Sequence, residues 1–132
     1  MFIYYSKIKL FDTDAAGVLF FGNQFRIVEE AYEAFLDKNG ISISDVINKR
    51  DYLIPVVHAD SDFLAPLTPG ENIKVEIKLG KQGDSSFTLK HRIFKEDGTL
   101  SGEGKTIHVC VNKKDFKKIS IPDEIVNILS FL

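Results

Sequence analysis

Two periodicities of apolar residues alternate along this chain, and each predicts its own kind of element. Residues 2–10 have mostly apolar side chains at even positions with lysines between them, and this period of two predicts a half-buried strand. From Phe21 onward, apolar side chains recur at helical spacing and share one stripe. The stripe comprises Phe25, Val28, Tyr32, Phe35 and Leu36. It predicts a long helix that ends at Gly40, the residue type favoured just after a helix C-terminus.

Strand patterns dominate the remainder of the chain. Residues 42–49 have the spacing of a short helix with Ser42 as its N-cap, and residues 122–132 predict a short terminal helix. Between them, alternating residues predict strands at 52–64, 73–79, 87–93 and 107–111, with a hairpin turn at Asp97-Gly98. One long helix within a run of antiparallel strands predicts a single α+β domain over residues 1–132, with the helix on one face of the sheet.

Composition and charge narrow the possible partners. The 132 residues are 44% hydrophobic with a formal net charge of −2, enough for one core but without the basic excess of a nucleic-acid-binding protein. The single cysteine, Cys110, excludes a disulfide framework and a cysteine-based zinc cluster, and fits a packed hydrophobe. No stretch approaches the ~18 apolar residues of a membrane helix, and the alternating N-terminus is unlike a secretory signal. We therefore expect a cytoplasmic protein that binds neither nucleic acid nor a membrane.

The predicted sheet carries apolar side chains on more than one face. If the helix covers one face of a curved sheet, Ile107 and Val109 are left on the other face or at an edge. Such surfaces are commonly covered by another copy of the chain. We therefore expect a homo-oligomer.

Candidate chemistry is concentrated between the first strand and the long helix. Two carboxylates, Asp12 and Asp14, lie there in a loop of small residues, followed by Phe20 and Phe21 at the predicted helix start. A helix N-terminus presents unpaired N–H groups and a partial positive charge, which can polarise a carbonyl oxygen. A carboxylate beside it could attack that carbonyl or activate a water against it. On composition alone the alternative stays open that both aspartates only form the turn.

Residues 12–23, with the sequence DTDAAGVLFFGN, resemble the hallmark of hotdog-fold acyl-CoA thioesterases of the 4-hydroxybenzoyl-CoA thioesterase family. The further segments NQF, EAYE and PVVHADSDF, which begin at Asn23, Glu30 and Pro55, resemble the cyanobacterial 1,4-dihydroxy-2-naphthoyl-CoA thioesterases. The resemblance implies an antiparallel sheet wrapped around one long central helix. It also implies a hydrolase of an aromatic acyl-CoA, foremost 1,4-dihydroxy-2-naphthoyl-CoA in phylloquinone or menaquinone biosynthesis. No metal or cofactor is implied, because a thioester is already activated. The implied assembly is a homodimer or homotetramer with its active sites at the dimer interface.

The resemblance also assigns roles within the loop. Asp14 becomes the catalytic carboxylate, acting as nucleophile or as general base. The backbone N–H of Phe21 holds the thioester oxygen, and Gly17 lets the loop pass close to the substrate. Asn23 orders the loop or the attacking water. Asp12 is expected to hold the loop, since it belongs to the predicted strand end.

Contacts with the two ends of the acyl-CoA are predicted outside the loop. Phe20 is a candidate wall of the acyl pocket. His58 either contacts a ring hydroxyl, because its strand borders this pocket in the similar proteins, or belongs to a solvent-facing row. Lys81, Lys90 and Arg92 either contact the CoA phosphates or are only solvated strand charges, in which case the nucleotide stays mostly in solvent.

Departures from the family pattern leave alternatives open. Many relatives have a Tyr–His pair where this chain has Phe21-Gly22, which favours an aromatic-acyl pocket over a short-chain one. A general acyl-CoA or acyl-carrier-protein thioesterase of the same fold and a non-catalytic acyl-CoA-binding module are the competing functions. Glu29, beside the apolar stripe, is the helix carboxylate kept as an alternative catalytic group. His91 and His108 are expected to be structural or surface histidines.

Overall fold

An antiparallel sheet curves around one long helix in the computed structural model, which describes residues 1–132. The five main strands lie in the order β1-β4-β5-β6-β3, so β1 and β3 form the sheet edges, and β2 pairs separately with β7. The strands are β1 Phe2–Lys7, β2 Tyr52–Leu53, β3 Val56–Phe63, β4 Asn72–Gln82, β5 Ser86–Lys95, β6 Leu100–Val109 and β7 Val111–Asn112. The predicted α+β arrangement is confirmed.

All three predicted helices are present. They are α1 Phe21–Lys38, α2 Ile43–Lys49 and α3 Asp123–Leu129. At the start of α2 the Ser42 hydroxyl accepts a hydrogen bond from the Asp45 N–H at 3.0 Å, which confirms the predicted N-cap. Gly40 follows α1 with a φ of +77°, a left-handed conformation that favours glycine. No helix is long and apolar enough to cross a membrane.

The core lies between α1 and the concave face of the sheet. The helix contributes an apolar stripe, formed by Ile27, Val28, Ala31, Tyr32, Phe35 and Leu36. The sheet contributes alternate residues of its central strands, among them Ile73, Val75, Ile77, Phe87, Leu89 and Ile93. Because strand residues alternate between faces, the charged residues of these strands lie on the outer face of the sheet.

Two sequence expectations require correction. The predicted strand at 52–64 is divided at Pro55: β2 pairs with β7, whereas β3 pairs with β6. Proline has no N–H to donate to a ladder, which explains the break. Val109 is buried within its own chain, so it leaves no surface for a second copy to cover.

Candidate active site

The loop that carries Asp14 is a small hairpin between β1 and α1. Thr13 and Leu19 form a bridge at its base, and the Asp14 N–H donates to the Val18 carbonyl at 3.0 Å. The Gly17 N–H donates back to the Asp14 carbonyl at 3.0 Å, and the turn closes because Gly17 has a φ of +77°. The hairpin therefore holds Asp14 through backbone bonds.

Asp12 anchors this loop to the helix. Its carboxylate is buried, accepts the Lys9 N–H at 2.8 Å and forms an ion pair with Arg26 of α1. Its carbonyl accepts the Phe20 N–H at 3.0 Å and the Asn23 side-chain amide at 2.8 Å. Asp12 lies in a 3₁₀ turn, Leu10–Asp12, and not at the predicted strand end, because β1 already stops at Lys7.

Asp14 and the start of α1 share one cleft. The Asp14 side chain is exposed, and its Oδ1 accepts the Ala16 N–H at 2.9 Å. Helix α1 begins at Phe21, where the first N–H groups have no acceptor within the helix and carry partial positive charge. Asp14 and Phe21 both line a cleft of about 360 Å³. Its other walls are apolar except for Gln24, and comprise Val18, Leu19, Phe63, Leu64, Ala65, Pro66 and Leu67.

Phe21 and Phe63 line the cleft, and Phe20, which does not line it, packs against Phe21; we call these three exposed rings the aromatic rim. The Phe20 and Phe21 ring centroids are 4.6 Å apart, and Phe21 meets Phe63 edge-on at 6.2 Å. The exposed fractions of the three residues are 43%, 62% and 52%. Such a contiguous apolar surface is typical of a place where a ligand or another chain binds.

Gln24 is a site residue that the sequence analysis missed. It is buried, and its amide donates to the Ser61 hydroxyl at 2.6 Å and to the Asp62 carbonyl at 3.1 Å. These bonds tie the first turn of α1 to β3 beside the Asp14 cleft. The available signal was a polar residue inside the apolar stripe of the helix, since buried amides are placed to form hydrogen bonds.

His58 does not lie with Asp14 in this chain. Side chains of β3 alternate, so His58 and Asp60 lie on the outer face of the sheet, whereas Ser61 and Phe63 face α1. The His58 Nε2 is 2.8 Å from the Asp60 carboxylate. His58 is therefore not among the residues that line the Asp14 cleft of its own chain.

The three basic candidates for CoA phosphates do not form one anion site. Lys90 and Arg92 line an outer-face groove of about 510 Å³, in which four basic side chains are balanced by four acidic ones. Arg92 is 3.7 Å from Glu103 there. Lys81 is exposed near the end of β4 and does not line that groove. The groove is charged but has no net positive character.

Burial shifts the pKa values of the remaining titratable candidates. Burial lowers the pKa of His91 and of His108 to about 4, so both imidazoles are neutral near pH 7. Burial also raises the pKa of the Cys110 thiol to about 11, as expected for a packed and unreactive cysteine. Partial burial, with a smaller contribution from Glu33, raises the pKa of Glu29. No three His, Cys, Asp or Glu side chains are grouped as metal ligands would be.

Comparison with known proteins places this site in a family. The sequence profile of the Thioesterase-like superfamily matches residues 8–129. A 1,4-dihydroxy-2-naphthoyl-CoA hydrolase from Gloeothece citriformis is 36% identical over 132 residues, which cover 98% of this chain and 92% of that protein. Two solved structures are also similar. A 1,4-dihydroxy-2-naphthoyl-CoA thioesterase from Synechocystis superposes with a TM-score of 0.94 at 30% identity, covering 99% of this chain and 96% of its own. A gentisyl-coenzyme A thioesterase gives a TM-score of 0.86 at 30% identity, with 96% and 98% covered. The profile match includes the Asp14 loop, α1 and every strand after β1, and the chain therefore belongs to the Thioesterase-like superfamily.

Proposed function

We propose that this protein hydrolyses the thioester of a hydroxylated aromatic acyl-CoA, and that its substrate is 1,4-dihydroxy-2-naphthoyl-CoA. The observation that carries the proposal is the shared cleft, which is lined both by Asp14, with its exposed carboxylate, and by Phe21, the first residue of α1. The names of the similar proteins support the substrate: two act on the naphthoyl ester and one on the gentisyl ester, and both acyl groups are hydroxylated aromatic rings.

The proposed chemistry needs only a polarised carbonyl and one carboxylate. The Phe21 N–H holds the thioester oxygen and stabilises the negative charge that develops on it. As general base, Asp14 takes a proton from water, whose oxygen attacks the carbonyl carbon, and the C–S bond then breaks to release the CoA thiolate. As nucleophile, Asp14 attacks that carbon itself and forms an anhydride that water then hydrolyses. Both routes end in the free acid and CoA.

The Asp14→Asn variant tests this assignment. It keeps the size of the side chain and an oxygen that can accept the Ala16 N–H, but it removes the basic and nucleophilic carboxylate. We expect kcat/KM for the naphthoyl ester to fall by about 10²–10⁴-fold, measured as release of free thiol. Circular dichroism and thermal unfolding should be unchanged, because the loop is held by backbone bonds.

Asp97→Asn is the matched control for this variant. Asp97 is also an exposed turn aspartate, and its carboxylate accepts the N–H two residues on, from Thr99, at 2.9 Å. Asp97 lies in the β5–β6 hairpin, so the control should retain full activity. Undiminished turnover by Asp14→Asn would rule out Asp14 as the catalytic group.

A general acyl-CoA thioesterase is the competing function, because the mostly apolar cleft could also hold a straight acyl chain. A panel of naphthoyl, benzoyl and fatty acyl esters separates the two. We expect the highest kcat/KM for the hydroxylated naphthoyl ester. A preference for straight chains would favour the competing function, and tight binding without turnover would indicate a binding module.

We also propose that the working unit is a homo-oligomer joined at β3. This strand is a free sheet edge, its residues are mostly exposed, and the aromatic rim lies at its end. Unpaired edges readily accept a strand from another copy. Sedimentation should therefore give a dimer or tetramer, and Val57→Lys on β3 should weaken it. Ile47→Lys, at another exposed apolar position on α2, should not; a wild-type monomer at micromolar concentration would contradict the proposal.

A further inference from the structure

The walls of the Asp14 cleft carry only two polar side chains. One is the Asp14 carboxylate and the other is the Gln24 amide, and the remaining lining residues are apolar. Gln24 lies in the first turn of α1, three residues after Phe21, and residues at this spacing share one side of a helix. The cleft therefore brings together the catalytic carboxylate, the start of α1 and one buried amide.

The hydrogen bonds of the Gln24 side chain determine which of its atoms is free. Its nitrogen donates to the Ser61 hydroxyl and to the Asp62 carbonyl, so both amide hydrogens are used. The amide oxygen, Oε1, accepts no hydrogen bond within the chain, yet it is not among the fully enclosed atoms that lack a partner. Oε1 therefore reaches accessible space, and the cavity that Gln24 lines is the Asp14 cleft.

Asp14 also keeps one oxygen free. Its Oδ1 accepts the Ala16 N–H at 2.9 Å, and its Oδ2 has no partner within the chain. The side chains of the cleft thus offer two unpaired acceptor oxygens, one on Asp14 and one on Gln24. The Phe21 N–H, which we assign to the thioester oxygen, can only donate.

Two acceptors are what an attacking water requires. A water molecule that donates both of its hydrogens has its lone pairs left to face a carbonyl carbon. Ordered waters in proteins typically have two to four polar partners, and a cleft of about 360 Å³ has room for one beside a thioester group. In a cleft with otherwise apolar side chains, Asp14 and Gln24 are the two side chains that can hold such a water.

The neighbouring amide, Asn23, is engaged elsewhere. Its nitrogen donates to the Asp12 carbonyl at 2.8 Å, a bond that orders the loop. Asn23 does not line the cleft. Two adjacent amides therefore serve different ends, with Asn23 holding the loop and Gln24 facing the space in which the reaction takes place.

We propose that Gln24 is a further catalytic residue, whose Oε1 accepts a hydrogen bond from the water that attacks the thioester. This inference rests on the proposed thioesterase function and deepens it by naming the group that aims the water. In the general-base route the water oxygen bonds to the carbonyl carbon, Asp14 takes one hydrogen as a proton, and the hydrogen held by Gln24 stays on that oxygen. The C–S electron pair leaves with the CoA thiolate, which then takes the proton from Asp14.

Gln24→Met tests the proposal, because methionine has a similar length but carries only a weakly accepting sulfur in place of the amide. We expect kcat for the naphthoyl ester to fall by about 10- to 100-fold, since the water loses a hydrogen bond and its alignment. KM should stay within twofold. Calorimetry with a thioether analogue of the ester, which cannot be hydrolysed, should give an affinity within twofold of the wild-type value.

Ser61→Ala separates the two tasks of the Gln24 amide, which also ties α1 to β3. This variant removes one partner of the amide nitrogen but leaves Oε1 and the bond to the Asp62 carbonyl. We expect kcat to fall by no more than about threefold. Equal losses of kcat in Ser61→Ala and Gln24→Met would mean that Gln24 acts only as a tie, which would overturn the proposal.

Thr106→Val is the matched control for lost stability. Thr106 is buried on β6, and its hydroxyl lies 2.9 Å from His108 Nε2. Valine therefore removes a buried hydroxyl from a residue that does not line the Asp14 cleft. We expect its urea midpoint to fall, as in Ser61→Ala, and its kcat to equal that of the wild-type protein. A similar loss of kcat in Thr106→Val and Gln24→Met would overturn the proposal, because lost stability alone would then explain both.

Asp14→Asn, measured beside these variants, separates failure of this inference from failure of the proposed function. If the wild-type protein hydrolyses the ester and Asp14→Asn does not, but Gln24→Met keeps the wild-type kcat, the role of Gln24 is overturned and the function stands. A wild-type protein that binds the thioether analogue but hydrolyses no ester would overturn the function, and the role of Gln24 with it.

Discussion

Gly17 lies at the tightest point of the Asp14 loop, and its conformation explains why glycine is needed there. With a φ of +77° it lets the chain reverse between Asp14 and Val18. No atom lies within 4 Å of where a Cβ would be, so space is not the constraint. Only the left-handed backbone is costly for other residues, by about 1–2 kcal/mol.

Gly17→Ala should therefore strain the loop without a clash. We expect the free energy of unfolding to fall by about 1 kcal/mol, measured by urea denaturation, because alanine is unfavourable at this φ. We also expect kcat/KM to fall, since relaxing the strain moves the Asp14 carboxylate relative to the start of α1. The reaction rate falls strongly when a catalytic group is displaced from the reacting atoms.

Gly98→Ala is the control. It imposes the same left-handed backbone on alanine at a place away from the Asp14 loop. Gly98 has a φ of +88°, and it too has no atom within 4 Å of an added Cβ, but it lies in the distant β5–β6 hairpin. It should lose similar stability and keep full activity. Equal activity in the two variants would mean that the shape of the Asp14 loop does not affect catalysis.

Individual residues show what a sequence can and cannot reveal. The Asp14 loop was predictable because its residues are contiguous and their turn chemistry is local. The partners of Gln24 and His91 were not, because both bond to Ser61, which is 37 and 30 residues away along the chain. The pairing register of β3 with β6 decides which face of the sheet carries His58. This register joins distant parts of the chain and cannot be predicted from the local sequence pattern.

Helix α1 was predictable as an element because its apolar stripe is long and regular, and this stripe is what packs against the sheet. The start of strand β3 was harder to predict from the sequence. The residues before it are apolar enough to continue the pattern, but Pro55 interrupts the hydrogen-bonding and redirects the chain from the β7 partner to the β6 partner.

Close approach of β3 to β6 depends on Gly104. A Cβ added there would fall far inside van der Waals contact with the Asp60 carbonyl, a backbone atom that cannot rotate away. Gly104→Ala should therefore force the two strands apart. We expect a loss of about 1–3 kcal/mol or more in the free energy of unfolding, measured by urea denaturation, because overpacked backbone must shift to relieve the contact.

Gly83→Ala, in the turn between β4 and β5, is the control for the Gly104 variant. A Cβ at Gly83 would meet its nearest atom, the Ser86 carbonyl, at an ordinary 3.5 Å. It should change the free energy of unfolding by less than about 1 kcal/mol. If both variants were equally stable, the contact between β3 and β6 would have to be looser than the structure indicates.

The whole molecule has two histidines in its interior, and this makes its stability depend on pH. Burial lowers the pKa of His91 and of His108 to about 4, against about 6.5 in an unfolded chain. Between these values the unfolded state binds more protons than the folded state, so stability rises with pH. The stabilisation is complete above pH 6.5 and is lost as the pH falls towards 4.

We expect the urea midpoint to fall steadily from pH 6.5 to 4.5. The corresponding loss in the free energy of unfolding approaches roughly 3 kcal/mol per histidine at the folded-state pKa. The hydrogen bond from Arg50 lowers the pKa of Glu124, so carboxyl groups of this kind lose their charge below the ordinary carboxyl range and do not account for this interval. His108→Asn should reduce this pH dependence by about half, because it removes one of the two buried imidazoles. A flat midpoint across the interval in the wild-type protein would mean that the two imidazoles are hydrated in the folded state and take up protons there as freely as in the unfolded chain.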